Sequence, residues 1–144
     1  MKLSTRTRYG VRAILQLAVN YGKGPLQTRA IARDQNISVK YLEQLMAILK
    51  AGGFVRSLRG SKGGYTLARP PNQIKLSDVF NALEGSVLTV ECLENDNYCA
   101  QTVDCVARQL WAQVQQAIDS VLQSTTVQDL IDRTEKGKTL NYQI

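Results

Sequence analysis

SVKYLEQLMAILKAGGFVRSLRGSKGGYTL, residues 38–67, decides the fold. Its first half has helical periodicity, with Leu42, Leu45, Met46 and Leu49 on one apolar face. Ser38 is placed to cap that helix, and Gly52-Gly53 stops it after Lys50. Lys40, Tyr41, Glu43 and Gln44 are left near its exposed N-terminal end. Two strand-like runs follow, 54–58 and 65–67. The loop between them, Arg59-Gly60-Ser61-Lys62-Gly63-Gly64, carries two cations and glycines that tolerate a tight turn. A basic hairpin directly after a helix reads as a wing, with Arg59 and Lys62 at its tip for a minor groove. A phosphate-cradling enzyme loop is the competing reading, but no helix follows the glycines and the Walker pattern is absent.

Upstream, Thr28 is expected to cap a short helix that turns Ala30, Ile31 and Ala32 inward. The turn Asp34-Gln35-Asn36-Ile37 joins it to the Ser38 helix, which is the helix-turn-helix plan. Residues 8–22 are expected to form a further helix, with Val11, Ile14, Leu15 and Ala18 on its inner face. Arg6, Arg8 and Arg12 lie at its start, either as solubilising charges or as phosphate contacts. Charge favours the second reading. Residues 1–75 hold 14 Lys/Arg against Asp34 and Glu43, whereas residues 76–144 hold 4 Lys/Arg against 10 Asp/Glu. Such segregation points to a polyanion partner for the first half, because basic side chains release counterions when they meet phosphates.

Downstream, Pro70-Pro71 closes the hairpin, and Ser77 is expected to cap a helix that buries Val79, Phe80 and Leu83 and ends at Gly85. Residues 103–123 carry the longest helical pattern in the chain, with Val103, Val106, Leu110, Val114, Ala117 and Val121 in steps of three and four. Trp111, Ile118 and Leu122 widen that stripe beyond what one small domain needs, so pairing with a second copy is the economical explanation and a role in the chain's own core the alternative. Thr126 with Asp129 forms a capping-box pattern for a last short helix through Ile131, and the tail from Glu135 is polar.

All three cysteines, Cys92, Cys99 and Cys105, lie within 14 residues. An odd count excludes full intramolecular pairing, and a cluster of thiols in a chain without a signal-peptide pattern or an apolar run of spanning length suits a reducing cytoplasm. There it more often serves metal or redox chemistry than disulfides. An iron–sulfur cluster fits three convergent thiolates. Structural zinc would want four Cys or His ligands and the chain has no histidine. Metal-free thiol redox chemistry is the remaining alternative. The lack of histidine, of a nucleophile motif and of a nucleotide-binding loop argues against an enzyme.

The opening MKLSTR at 1–6, the run YLEQL at 41–45, the wing RGSKGGY at 59–65 and Leu83-Glu84-Gly85 resemble the IscR/NsrR/CymR family of winged-helix regulators over nearly the whole chain. The cysteine set is similar to the IscR type. The resemblance implies a homodimeric bacterial transcription regulator, usually a repressor, of iron–sulfur biogenesis genes, with a 2Fe–2S cluster rather than 4Fe–4S altering DNA recognition. It also implies the cluster-delivery machinery as a partner. The IscR pattern places a histidine three residues beyond the third cysteine, where this chain has Arg108. The NsrR pattern uses a carboxylate at position 8, where this chain has Arg8. The fourth ligand is thus open, with Asp104 and Glu94, then Asp96 and Glu91, as nearby oxygen donors and solvent or a partner subunit as outside sources.

The expected architecture is mainly α with a small β-hairpin wing. Residues 1–85 form a winged helix-turn-helix DNA-binding region, with the helix-turn-helix at about 28–50 and the wing at about 54–67. Residues 86–105 form the cysteine loop, and residues 103–144 a long dimerisation helix and tail. Ser38, Lys40, Tyr41, Glu43, Gln44, Arg59 and Lys62 are the expected DNA-facing residues. Glu43 either accepts from a cytosine, penalises nearby phosphates, or pairs with Lys40 or Lys50 on the helix surface. An iron–sulfur carrier that does not bind DNA is the other non-enzymatic reading.

Overall fold

The computed structural model describes residues 2–87 and 89–142. In chain order it places α1 (Thr5–Val19), α2 (Thr28–Gln35), α3 (Val39–Ala51), the strands β1 (Val55–Leu58) and β2 (Gly64–Leu67), α4 (Leu76–Glu84), α5 (Val106–Ser124) and α6 (Val127–Tyr142). Short 3₁₀ turns occupy Pro71–Gln73 and Glu91–Leu93. The two strands pair antiparallel, with Val55 opposite Leu67 and Leu58 opposite Gly64. This is the mainly helical, winged architecture that the sequence predicts.

Several helix starts differ from expectation. The first helix begins at Thr5 and ends at Val19, not at 8 and 22, because Ser4 caps it by accepting from the Thr7 amide at 3.1 Å. Thr28 does not cap α2: it already lies inside the helix, after Gln27, whose side chain makes no cap bond. Ser77 likewise sits one residue inside α4, behind Lys75. The long helix starts at Val106, with Cys105 at its cap position, so Val103 falls outside it and is 93% exposed. Ser38 and the Thr126–Asp129 box behave as read. Ser38 Oγ accepts from the Tyr41 amide at 3.0 Å, and Thr126 and Asp129 exchange side-chain-to-amide bonds at 2.8 and 3.2 Å. The helix they start is long, not short. It runs to Tyr142 and takes up most of the expected tail, of which residues 143 and 144 lie outside the described residues.

One core holds the first half together. Ile14 and Leu17 of α1, Ile31 of α2, Leu42, Met46 and Leu49 of α3, Val55 and Leu67 of the hairpin, and Val79 and Leu83 of α4 are all essentially inaccessible. Val127 and Ile131 of α6 join the same core. Gly10 lets α1 and α4 approach: a Cβ there would sit 2.6 Å from a Leu83 methyl group. The strip 74–76 pairs with 125–127, with Leu76 donating to Thr125 at 2.9 Å and Val127 to Ile74 at 2.9 Å. Between those anchor points α5 lies against α4 and leaves every one of its residues at least partly exposed.

Much of its apolar stripe therefore faces outward, whereas Ile118 and Leu122 are half-buried and Leu122 packs against the core. Leu110 is 52% exposed, Trp111 39%, Val114 40% and Val121 62%. No helix among the described residues is long and apolar enough to cross a membrane.

Candidate nucleic-acid interface and cysteine loop

The α2–α3 turn is set by Asn36, in the left-handed region at φ 55°, from which Ile37 bonds back to the Ala32 carbonyl at 3.0 Å. That turn directs α3 so that its apolar face enters the core while Lys40, Glu43 and Gln44 remain exposed. Tyr41 is half-buried and packs edge-on against Tyr9 of α1, with ring centroids 6.2 Å apart at 87°. The Arg12 guanidinium lies over the same Tyr9 ring at 5.3 Å. Tyr9 thus joins an α1 arginine to the helix that follows the turn. Apolar periodicity could not have marked it, since Tyr9 lies off the inner stripe of α1.

The wing is braced from two sides. Lys50 Nζ donates to Ser57 Oγ at 3.0 Å, joining the end of α3 to β1. Leu26 and Tyr65 exchange backbone bonds at 2.9 and 2.8 Å, so the segment before α2 adds a third edge to the hairpin. Gln27 Nε2 reaches the Ser61 carbonyl in the wing loop at 3.4 Å. Arg59 and Lys62 are exposed at the tip. The ion pair considered for Glu43 with Lys40 or Lys50 is not formed: Lys50 is committed to Ser57, and no ion pair at Glu43 occurs among the described residues. Glu43 lies close enough to Tyr65 for its charge to add to burial, the larger cause, in pushing that phenol upward.

A second latch ties α1 to the end of α4. Glu84 Oε2 accepts from Ser4 Oγ at 2.6 Å, from the Ser4 amide at 3.3 Å and from the buried Thr7 hydroxyl. The hydroxyl bonds from Ser4 and then Thr7 hold the Glu84 carboxyl below the usual carboxylate range. Because the folded value is depressed, the latch contributes fully above the unfolded carboxylate range and is lost as pH falls through the lowered value. Urea denaturation at a series of pH values should show Glu84→Gln less stable than the parent near neutrality, with the gap closing as pH drops below the ordinary carboxylate range. A gap independent of pH would remove the charged latch from the account.

Residues 85–105 connect α4 to α5. Gln115 of α5 secures the start of this loop, donating to the Val87 carbonyl at 2.7 Å and accepting from the Thr89 amide at 2.9 Å. Cys92 and Cys105 are half-buried and Cys99 is exposed, all as free thiols. Thr102 Oγ1 donates to the Cys99 carbonyl at 2.6 Å, and the Tyr98 hydroxyl bonds Glu91, which raises the phenol. Arg108, in the first turn of α5, donates from Nε to the Cys92 carbonyl at 3.1 Å and from Nη2 to Asp96 Oδ1 at 2.5 Å. No three Cys, Asp or Glu side chains among the described residues converge as a metal-holding set, so Glu94 and Asp104 do not join the cysteines in this conformation. The donor chemistry nonetheless fits iron: three soft thiols lie on one short loop whose described residues are mostly turns, with a single helical turn at Glu91–Leu93.

A helix-turn-helix followed by a braced basic wing defines a winged-helix transcriptional regulator. The chain belongs to the Rrf2 family, described as iron-dependent transcriptional regulators, whose profile matches residues 3–133. It is 39% identical over 135 residues to the HTH-type transcriptional regulator CymR of Bacillus subtilis, covering 94% of this chain and 93% of that one. The structure of the same CymR, the global cysteine regulator, superposes with a TM-score of 0.80 at 38% identity, over 92% of this chain and 98% of that one. T. potens IscR superposes with a TM-score of 0.77 at 38% identity, over 95% and 90%.

Proposed function

We propose that the protein is a dimeric DNA-binding repressor whose operator recognition is switched at Cys92, Cys99 and Cys105, the ligands of a 2Fe–2S cluster. The observation that carries the DNA-binding part is the exposed polar edge of α3, clamped by Lys50–Ser57 to a basic wing, in a half-chain holding 14 Lys/Arg against two carboxylates. In this reading α3 enters the major groove, where Gln44 suits adenine, and Lys40 and the Ser38 hydroxyl meet phosphates. Tyr41, held by Tyr9, packs at the groove wall. Glu43, free of a helix-surface partner, accepts from a cytosine amine or repels misplaced phosphates. Arg59 and Lys62 approach the minor groove.

The cluster reading is supported by the three-thiol donor set and by similarity to T. potens IscR. When bound, the group supplies an inorganic cross-link between loop segments. The chain transmits the loop's order from Gly85 to Glu84, from Glu84 to Ser4 and Thr7 of α1, and from Tyr9 to Tyr41 on α3. Iron–sulfur assembly genes as targets, and the delivery machinery as a partner, belong to this reading. A second reading, thiol sensing without metal, is favoured by the unconverged cysteines and by the similarity to CymR, named a cysteine regulator.

One set of measurements separates them. Anaerobically purified protein should show visible absorption and Mössbauer signals of a 2Fe–2S centre, and Cys92→Ala should lose both and change the operator preference. A colourless, iron-free sample whose operator affinity responds to thiol oxidation would favour the second reading. Operator binding should weaken by roughly 10³- to 10⁵-fold between about 50 and 200 mM salt if six to ten phosphates are contacted. No duplex binding at low salt would leave an iron–sulfur carrier instead.

A further inference from the structure

Arg108 is the only Lys or Arg between Lys75 and Arg133. It occupies the first turn of α5, where the helix's free N–H groups disfavour a cation. Its side chain turns back into the loop, is 28% exposed, and bonds two separate segments: the Cys92 carbonyl and the Asp96 carboxylate. A guanidinium has five donors and no lone pair to give, so it cannot ligate a metal. Its planar fork can nevertheless close a loop by bonding two acceptors at once.

We propose that Arg108 is the positioning residue of the cysteine loop, clasping the Cys92 turn and the Asp96 turn to the head of α5 without serving as a ligand. This rests on the thiols' role in the proposed function. Cys105 immediately precedes α5 and Cys92 is fastened to it through Arg108, so both half-buried thiols are fixed relative to one helix end. Cys99 alone remains on an exposed turn. Asp96 bonds Arg108 in the clasp, and Glu91, Glu94, Asp104 or a group from outside the chain remain as candidates for the fourth ligand. The Asp96 carboxylate is 83% exposed, so this ion pair is screened and the clasp is a modest restraint, opened and closed readily.

The test uses iron-free, reduced, full-length protein and a pulse of iodoacetamide, with alkylation at each cysteine read by peptide mass spectrometry. Arg108→Ala should speed alkylation of Cys92 roughly three- to tenfold, the scale expected for losing a charge-assisted bond near the surface, and leave Cys99 nearly unchanged. Arg108→Lys, which keeps the charge and loses the fork, should fall between. Asp96→Asn should act in the same direction but less strongly. It alters only an exposed side chain, so it decides the matter if Arg108→Ala fails to fold. Equal Cys92 rates in parent and variants overturn the proposal. So does a slower rate in Arg108→Ala, which would mean that the cation acts on thiol reactivity by charge alone. Parallel reconstitution with ferrous iron and sulfide keeps the two ideas apart: a parent that takes up no iron counts against the cluster, while the alkylation rates still decide Arg108.

Discussion

Leu110→Asp combined with Val114→Asp should turn the protein into a folded monomer that has lost most of its operator affinity. Both side chains lie on the outward stripe of α5, a helix that buries no residue of its own chain. The substitutions should therefore leave the core of α1–α4 and α6 intact. In a two-fold interface each Asp appears twice, so four carboxylates would enter an apolar seam at a cost of several kcal/mol per unpaired buried charge. That should raise the dimer dissociation constant by at least about 10³-fold. Operator affinity should fall by about 10²-fold or more, because two half-sites would no longer be bound as one linked event. Sedimentation analysis, with far-UV circular dichroism as the folding control, checks this directly. A double variant that sediments with the parent would show that the stripe is covered by something other than a second copy.

Gly64→Ala should be the most damaging single methyl group that can be added to the reader. Gly64 has φ +147°, and a Cβ there would lie 2.0 Å from the Leu26 carbonyl oxygen, which is backbone and cannot swing aside. The strain and the loss of the paired Leu26–Tyr65 bonds together should cost about 2–4 kcal/mol. Gly60→Ala is the matched control. Its φ of +110° is also unfavourable for alanine, but nothing lies within 4 Å of the added carbon, so about 1 kcal/mol is expected. Urea midpoints should separate the two variants. Operator affinity should drop more for Gly64→Ala, since it releases the wing from the segment that braces it.

Where an element's signal is local, the sequence was enough to read it. Ser38 and the Leu42–Leu49 stripe define α3 within a dozen residues, and Thr126 with Asp129 starts α6 within four. The start of α1 is not legible in apolar periodicity because what fixes it is not apolar. Thr7 is fully buried yet polar, Gly10 is buried yet featureless, and their partners Glu84 and Leu83 lie more than 70 residues away. The Leu26–Tyr65 pairing was invisible for the same reason, as a single bridge has no period. The cysteines were legible as a group, but the role of Arg108 was not. Its two acceptors are a main-chain carbonyl and one of several nearby carboxylates, and nothing in the spacing distinguishes them.

The strip that pairs residues 74–76 with 125–127 has a consequence for re-engineering the chain. The chain that leaves this strip through α4, the cysteine loop and α5 comes back to pair with it at residues 125–127. No residue of α5 is fully buried and Leu122 alone of that helix packs against the core, so the segment carrying the thiols can be altered with little disturbance of the reader. One winged scaffold can in this way be fitted with different chemical senses without having to learn to fold again.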